Sequence, residues 1–432
     1  MLIEFTIKNF KSFRDETIFS LLAAGYDRET REYENVVDIP KYDLRVLRSA
    51  IVYGGNASGK SKFFDAFEFM QELVLRSVEM SWLPRSLENL HFSLDTGSAT
   101  TPTEFEAIFF HKEKIFRYGF AILDGMVKRE WLNIRLHKKE MSIFTRDSES
   151  YTTHRSYFKQ GKLVISRNLV RENALCLTVA AMYNDEIALE AVDWFRNVLT
   201  FSGVNLENPM NLTMGMLTDP VKKKRILDIL SAADLGIEDV IVSRKGVSGQ
   251  NDLVAEELQR YAPSYGDLFF DIKTVHRRYS QDGTSELTAN FSMDSDESAG
   301  TRKFFAIAGP ILTALEKGLP VVVDELDAGL HPKLVHRLVE LFNSVESNPH
   351  NAQLIFNSQT THLLSTELFR RDQIWFVEKD IYGVSKLFSL IEIKVRKTGK
   401  FEKDYLDGRY GGIPYLGEFE FLKINSPQGR IN

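Results

Sequence analysis

Residues 54–61 read Gly54-Gly55-Asn56-Ala57-Ser58-Gly59-Lys60-Ser61, and no other segment constrains the fold as much. Glycines at this density let successive backbone N–H groups point at phosphate oxygens, and a helix starting at the loop's end adds the positive end of its dipole. Lys60 supplies a cation for β- and γ-phosphate charge, and Ser61 a hydroxyl for Mg²⁺. Such a loop works only between a strand and a helix. Arg48-Ser49-Ala50-Ile51-Val52-Tyr53 reads as a short apolar strand, and Phe63, Phe64, Phe67, Met70 and Leu73 recur at helical spacing. The required context is present, so an α/β nucleotide-binding core is expected.

Two downstream segments narrow the reading. Val321-Val322-Val323-Asp324-Glu325 is a buried-strand pattern that delivers two carboxylates at its polar end. Asp324 is expected to hold Mg²⁺, directly or through water, and Glu325 to polarise an attacking water. Before it, Glu297-Ser298-Ala299-Gly300-Thr301 precedes a helical pattern, with 24 residues separating Gly300 from Asp324. Ser298 suits the N-cap of that helix. Leu326-Asp327-Ala328-Gly329-Leu330-His331-Pro332 follows the acid pair.

The order of phosphate loop, signature, helix and Asp-Glu strand resembles the ABC-type ATPases, and the chain looks like their SMC/RecF/OLD group. The resemblance lies in Ile7-Lys8-Asn9-Phe10-Lys11-Ser12-Phe13, in residues 54–61, in residues 297–301 and in Asp324-Glu325-Leu326-Asp327-Ala328-Gly329-Leu330-His331-Pro332. With the tail it spans roughly half the chain. It implies ATP and Mg²⁺ as cofactors, and sites completed by a second copy. Ser298 and Gly300 would then act on the partner's γ-phosphate, Asp327 would be a contact across the dimer, and His331 would be structural. The group has a histidine after the strand that follows the Asp-Glu pair. Here Phe356-Asn357-Ser358-Gln359 puts Gln359 there, with His362 three residues on. Gln359 can hydrogen-bond a γ-phosphate but carries no positive charge, so slow, switch-like turnover is expected unless His362 substitutes. The group's Mg²⁺-sensing glutamine has no clear counterpart; Glu130 is a candidate, as is an ordinary strand-end role for that acid. The tail (372–379, 395–397 and 405–414) looks like the stand-alone ATPases of bacterial anti-phage systems, such as the RloA/AbiLi type and the AriA subunit of PARIS. That resemblance implies a homodimer or higher oligomer serving a separately encoded, nuclease-like effector.

The implied fold is an α/β ABC-type P-loop head with a split core. Residues 1–75 and 286–432 would form the core, 76–170 an antiparallel β lobe, and 171–285 an inserted, mainly helical region. The lobe is read from strand patterns at 104–109, 116–122 and 130–134, with Asp124-Gly125 as a hairpin signal. Residues 172–236 look helical, and 245–265 and 279–285 look like loops. Strand patterns return at 287–293, 319–323, 352–357 and 374–378, alternating with helices at 301–315 and 333–345.

Net charge is −6, so no global basic field points to nucleic acid. Lys222-Lys223-Lys224-Arg225, His276-Arg277-Arg278 and residues 394–400 are local basic clusters that could be solvated surface or a nucleic-acid groove. The single cysteine, Cys176, cannot form an internal disulfide and reads as a buried small hydrophobe. No secretory signal and no span of ~20 apolar residues is visible, so a cytoplasmic protein without membrane contact is expected. The alternatives are a RecF/SMC-like ATPase acting on DNA and an OLD-type nuclease. The second has little room, because only 107 residues follow Glu325.

Overall fold

The computed structural model describes residues 1–79, 90–244, 270–281, 283, 287–393 and 400–413. In chain order the first strands are β1 (Leu2–Lys8), β2 (Thr17–Ser20), β3 (Val36–Ile39), β4 (Leu44–Leu47) and β5 (Ser49–Gly54). Next come β6 (Thr103–His111), β7 (Lys114–Leu123), β8 (Met126–Arg135), β9 (Glu140–Asp147), β10 (Ser150–Thr153) and β11 (Leu199–Ser202). The last are β12 (Ile237–Arg244), β13 (Phe270–Arg278), β14 (Leu287–Ser292), β15 (Pro320–Asp324), β16 (Gln353–Asn357), β17 (Ile374–Lys379) and β18 (Ser385–Ser389). The helices used below are α1 (Lys60–Arg76), α2 (Lys159–Ser166), α3 (Cys176–Met182), α4 (Glu186–Asn197), α5 (Glu207–Met216), α6 (Pro220–Ala232), α7 (Ala299–Lys317), α8 (Pro332–Asn343) and α9 (Phe401–Leu406).

The nucleotide core is a six-stranded sheet in the order β11-β15-β16-β5-β17-β18, parallel except for β18. Its central strands are buried on both faces, as near-continuous apolar runs require. Side chains alternate between two cores. Ala50, Val52, Val322 and Ile355 pack with α1 and the antiparallel sheet. Ile51, Tyr53, Val321, Val323 and Phe356 pack with α7 and α8.

The second layer is a seven-stranded antiparallel sheet, β10-β9-β8-β7-β6-β1-β2. Its β1 and β2 come from the first twenty residues, which the sequence reading assigned to the core. Alternation in β1 buries Phe5 and Ile7 against α1, where Phe5 meets Phe63 and Phe67 at ring distances of 5.8 and 5.1 Å. The turn between β7 and β8 uses Asp124 and Gly125, both at positive φ, as the hairpin signal predicts.

Among its described residues, the region 171–285 carries the helices α3, α4, α5 and α6 and also strands that the helical reading of 172–236 did not include. It contributes β11 to the core sheet, and β12 and β13 to a three-stranded sheet completed by β14. Four residues are too few to show a period, so β11 is recognisable only once it lies beside β15. The predicted loop at 245–265 falls outside the described residues, as do residues 282, 284 and 285 of the one at 279–285 and the basic stretch 394–399.

Helix α7 contains Pro310, which has no N–H for the Ala306 carbonyl. The Thr213 hydroxyl of α5 donates to that carbonyl at 2.7 Å and accepts from the Gly309 N–H at 2.9 Å. A Cβ on Gly309 would collide with Thr213, so glycine permits the close helix crossing. Among the described residues, no helix is long and apolar enough to cross a membrane.

Candidate functional site

β5 ends at Gly54 and α1 begins at Lys60, so the glycine loop joins strand to helix as predicted. Gly59 sits at φ 114°, and a Cβ there would also strike Ser385 and Ser12. Lys60 Nζ donates to the Gly54 carbonyl at 2.6 Å and to Gly55 at 3.1 Å. Burial lowers the Lys60 pKa, while Glu325, Asp324 and Asp327 oppose that shift. Gly55, Asn56, Ala57, Ser58, Gly59, Lys60 and Ser61 line a cleft of about 720 Å³ that Glu325 and Gln359 also reach. Four elements far apart in sequence therefore converge: the loop, the end of β15, the segment after β16 and the start of β18.

β15 carries Asp324 to its polar end. Burial raises the Asp324 pKa, against hydrogen bonds from Asn357 and Ser61. Asn357 bridges the acid pair, with its amide bonded to Asp324 Oδ1 and its side-chain oxygen accepting from the Glu325 N–H. Glu325 is left-handed at φ 59°, a strained state for a non-glycine residue. Asn357 is a residue of the site that the sequence reading passed over; its place two residues before Gln359, at the end of β16, was the available signal.

The residues fit ATP and Mg²⁺. Ser12 and Ser58, which line the cleft, have buried hydroxyls without a hydrogen-bond partner among the described residues, beside a lysine and a helix N-terminus. Ser61 and Asp324 lie within hydrogen-bond reach of each other and offer hard oxygen donors.

Ser298 caps α7, its Oγ accepting from the Thr301 N–H at 3.0 Å. It is exposed, and neither Ser298, Gly300 nor Asp327 lines the cleft of its own chain. Gly300 lies against Gly329, whose carbonyl would be 2.8 Å from an added Cβ. Asp327 is engaged within its own chain: Oδ2 accepts from Ser358 Oγ (2.8 Å), Gln359 N (3.0 Å), Thr360 N (3.0 Å) and Thr360 Oγ1 (2.8 Å). It thereby fixes the segment that presents Gln359. His362 does not line the cleft. It is exposed and pairs with Glu402 at 2.9 Å, which leaves Gln359 as the polar side chain at the switch position. His331 caps α8 through Nδ1, a structural role.

Glu130 is not at the site. It is fully buried in β8, and its carboxylate accepts from the N–H groups of Cys176 (2.7 Å) and Leu177 (2.9 Å) and from Tyr118 Oη (3.0 Å), with Arg146 at 3.9 Å. It anchors the start of α3. Cys176 is buried, and burial pushes its thiol pKa up, so it is inert. In the basic clusters, Lys223 pairs with Asp239 (2.7 Å), Arg225 with Glu316 and Arg277 with Glu238 (2.7 Å).

The family described as "AAA domain, putative AbiEii toxin, Type IV TA system" matches residues 49–365. No curated protein matches the sequence. Solved structures similar to the chain include an Smc head bound to the C-winged helix domain of ScpA (15% identity, TM-score 0.46, covering 90% of this chain and 97% of that one). The SMC head domain from Thermotoga maritima is another (13% identity, TM-score 0.39, 91% and 99%). An Smc head from Pyrococcus furiosus bound to the C-terminal domain of ScpA is a third (13% identity, TM-score 0.40, 90% and 96%).

Proposed function

The chain belongs to the AAA-domain family of AbiEii type, with an ABC-type ATP-binding head, and from that premise we propose that it is a slow ATPase that regulates a separately encoded toxic effector in antiviral defence. The observation carrying the ATPase reading is the convergence of Lys60, Ser61, Glu325 and Gln359 on one cleft, with Asp324 in hydrogen-bond reach of Ser61, while Ser298 and Gly300 lie outside it. A site so divided suits completion by a second copy. ATP would join two heads, and hydrolysis would release them.

In this reading Lys60 and the loop N–H groups would hold the phosphates, and Ser61 and Asp324 would hold Mg²⁺, which when bound would supply positive charge beside the γ-phosphate. Glu325 takes a proton from water as the water oxygen bonds phosphorus and the bond to ADP breaks. Gln359 donates to the γ-phosphate as a neutral group, which supports slow turnover and a long-lived closed state. The family's toxin–antitoxin description supports a defence role; in this reading the controlled partner is an effector of nuclease type.

Glu325→Gln tests the chemistry. It should bind ATP, hydrolyse at least about a hundredfold more slowly, and accumulate as a dimer in light scattering. Monomeric protein in ATP with near wild-type turnover would remove Glu325 from the base role.

A further inference from the structure

Lys303 is a cation in an unusual place. It lies on α7 and is 2% exposed, and its Nζ donates to the carbonyls of Glu325 (2.9 Å) and Ala328 (2.7 Å). Burial brings its pKa down to about 8, against the charges of Asp327 and Glu325. A buried ammonium bonded to two carbonyls is expensive to desolvate, and an apolar residue would fill the same space at lower cost. Its partners explain its presence: they are the two ends of the turn that follows β15.

That turn has little slack. Gly203, just past β11, donates from its N–H to the Asp324 carbonyl at 2.6 Å, and a Cβ on Gly203 would collide with the Glu325 carbonyl and with Lys303 Nζ. Asn357 holds the Glu325 N–H, and Glu325 itself sits at positive φ. On the other side, Gly300 packs on the Gly329 carbonyl. Lys303 lies five residues after Ser298, about 7.5 Å along the helix, so one rigid segment carries both.

Given the composite site proposed above, we propose that Lys303 is a positioning residue that ties the Glu325 turn to the signature helix, so that a protomer seating Ser298 on its partner's nucleotide aligns its own Glu325. Lys303 touches no substrate; it acts through the backbone of Glu325.

The test compares wild type with Lys303→Met, which keeps the length of the stem and loses the donors, and with Gly203→Ala, which enters the same contact from β11. Each should keep ATP affinity within about twofold and still dimerise in ATP, while kcat falls roughly ten- to a hundredfold, the scale of a catalytic group displaced by about 1 Å. Wild-type kcat in either variant overturns the proposal. So does parallel loss of affinity, dimerisation and kcat, which marks a merely structural residue. Mixed dimers assign the direction. With Lys303→Met and Glu325→Gln in one chain beside a wild-type chain, about half of the turnover should remain. With the two changes in opposite chains it should fall to about 5% of wild type or less, the one site with an intact Glu325 being the one slowed by Lys303→Met. The reverse pattern means that Lys303 serves the partner's site and overturns the proposal. Wild-type protein that stays monomeric in ATP sinks the composite-site reading instead, whatever the Lys303 variant does.

Discussion

Asp327 illustrates how much one carboxylate can organise. One oxygen, Oδ2, accepts from two backbone N–H groups and two hydroxyls of Ser358–Thr360, so the turn after β15 and the switch segment after β16 move as one unit. Hydrogen bonds to a charged group contribute about 1.5–3 kcal/mol each, and a loop released from several of them samples other conformations. Asp327→Ala should therefore lower kcat roughly ten- to a hundredfold while ATP affinity changes little. Gln359→Ala should give the same split between kcat and affinity, and the double variant should be no worse than the worse single one. Steady-state kinetics with nucleotide binding decides it: additive losses would mean that Asp327 does not act through Gln359. The sequence placed Asp327 beside the acid pair, and resemblance assigned it to the partner's site. Its four partners lie more than thirty residues away in the chain, which a linear reading cannot connect.

At the scale of elements, legibility followed periodicity. The strand-loop-helix around Lys60, the helix starting at Ser298 and the apolar strand ending at Asp324 each carry a local signal strong enough to read, and the structure has all three. β11 carries none, because its identity as a strand comes from pairing Leu199–Ser202 with Val321–Asp324. Glu130 was misread for a similar reason: the N–H groups it accepts from belong to residues 46 and 47 positions later. Its burial predicts a stability role. Removing one member of such a buried network costs about 3–5 kcal/mol, so Glu130→Ala should lose about that much in denaturant unfolding while ATP affinity of the folded protein is unchanged. Burial also raises the Glu130 pKa, with its hydrogen bonds and Arg146 opposing. The folded state then keeps the proton longer than the unfolded chain. That contribution is fully present below the ordinary value of about 4.3 and is lost as pH rises through the folded value. Stability of the wild type relative to Glu130→Gln should accordingly decline as pH rises from 4. A flat difference would mean that the carboxyl is ionised in the fold throughout.

At the scale of the whole molecule, the groups of the cleft and the signature residues Ser298 and Gly300 occupy separate places. The cleft holds the groups that would bind and cleave ATP, and the capped end of α7 presents Ser298 to the outside. In the proposed reading such a machine would be active only when paired, which would suit control of an effector by assembly. The most direct measurement mixes two inactive chains. Lys60→Ala removes the loop cation and leaves the signature intact; Ser298→Arg spoils the signature and leaves the loop intact. Each homodimer carries one defect in every site and should be inactive. In a mixed dimer one site carries both defects and the other carries neither, so mixing should restore turnover to at most about half of wild type per dimer. No recovery, with subunit exchange verified, would contradict the account.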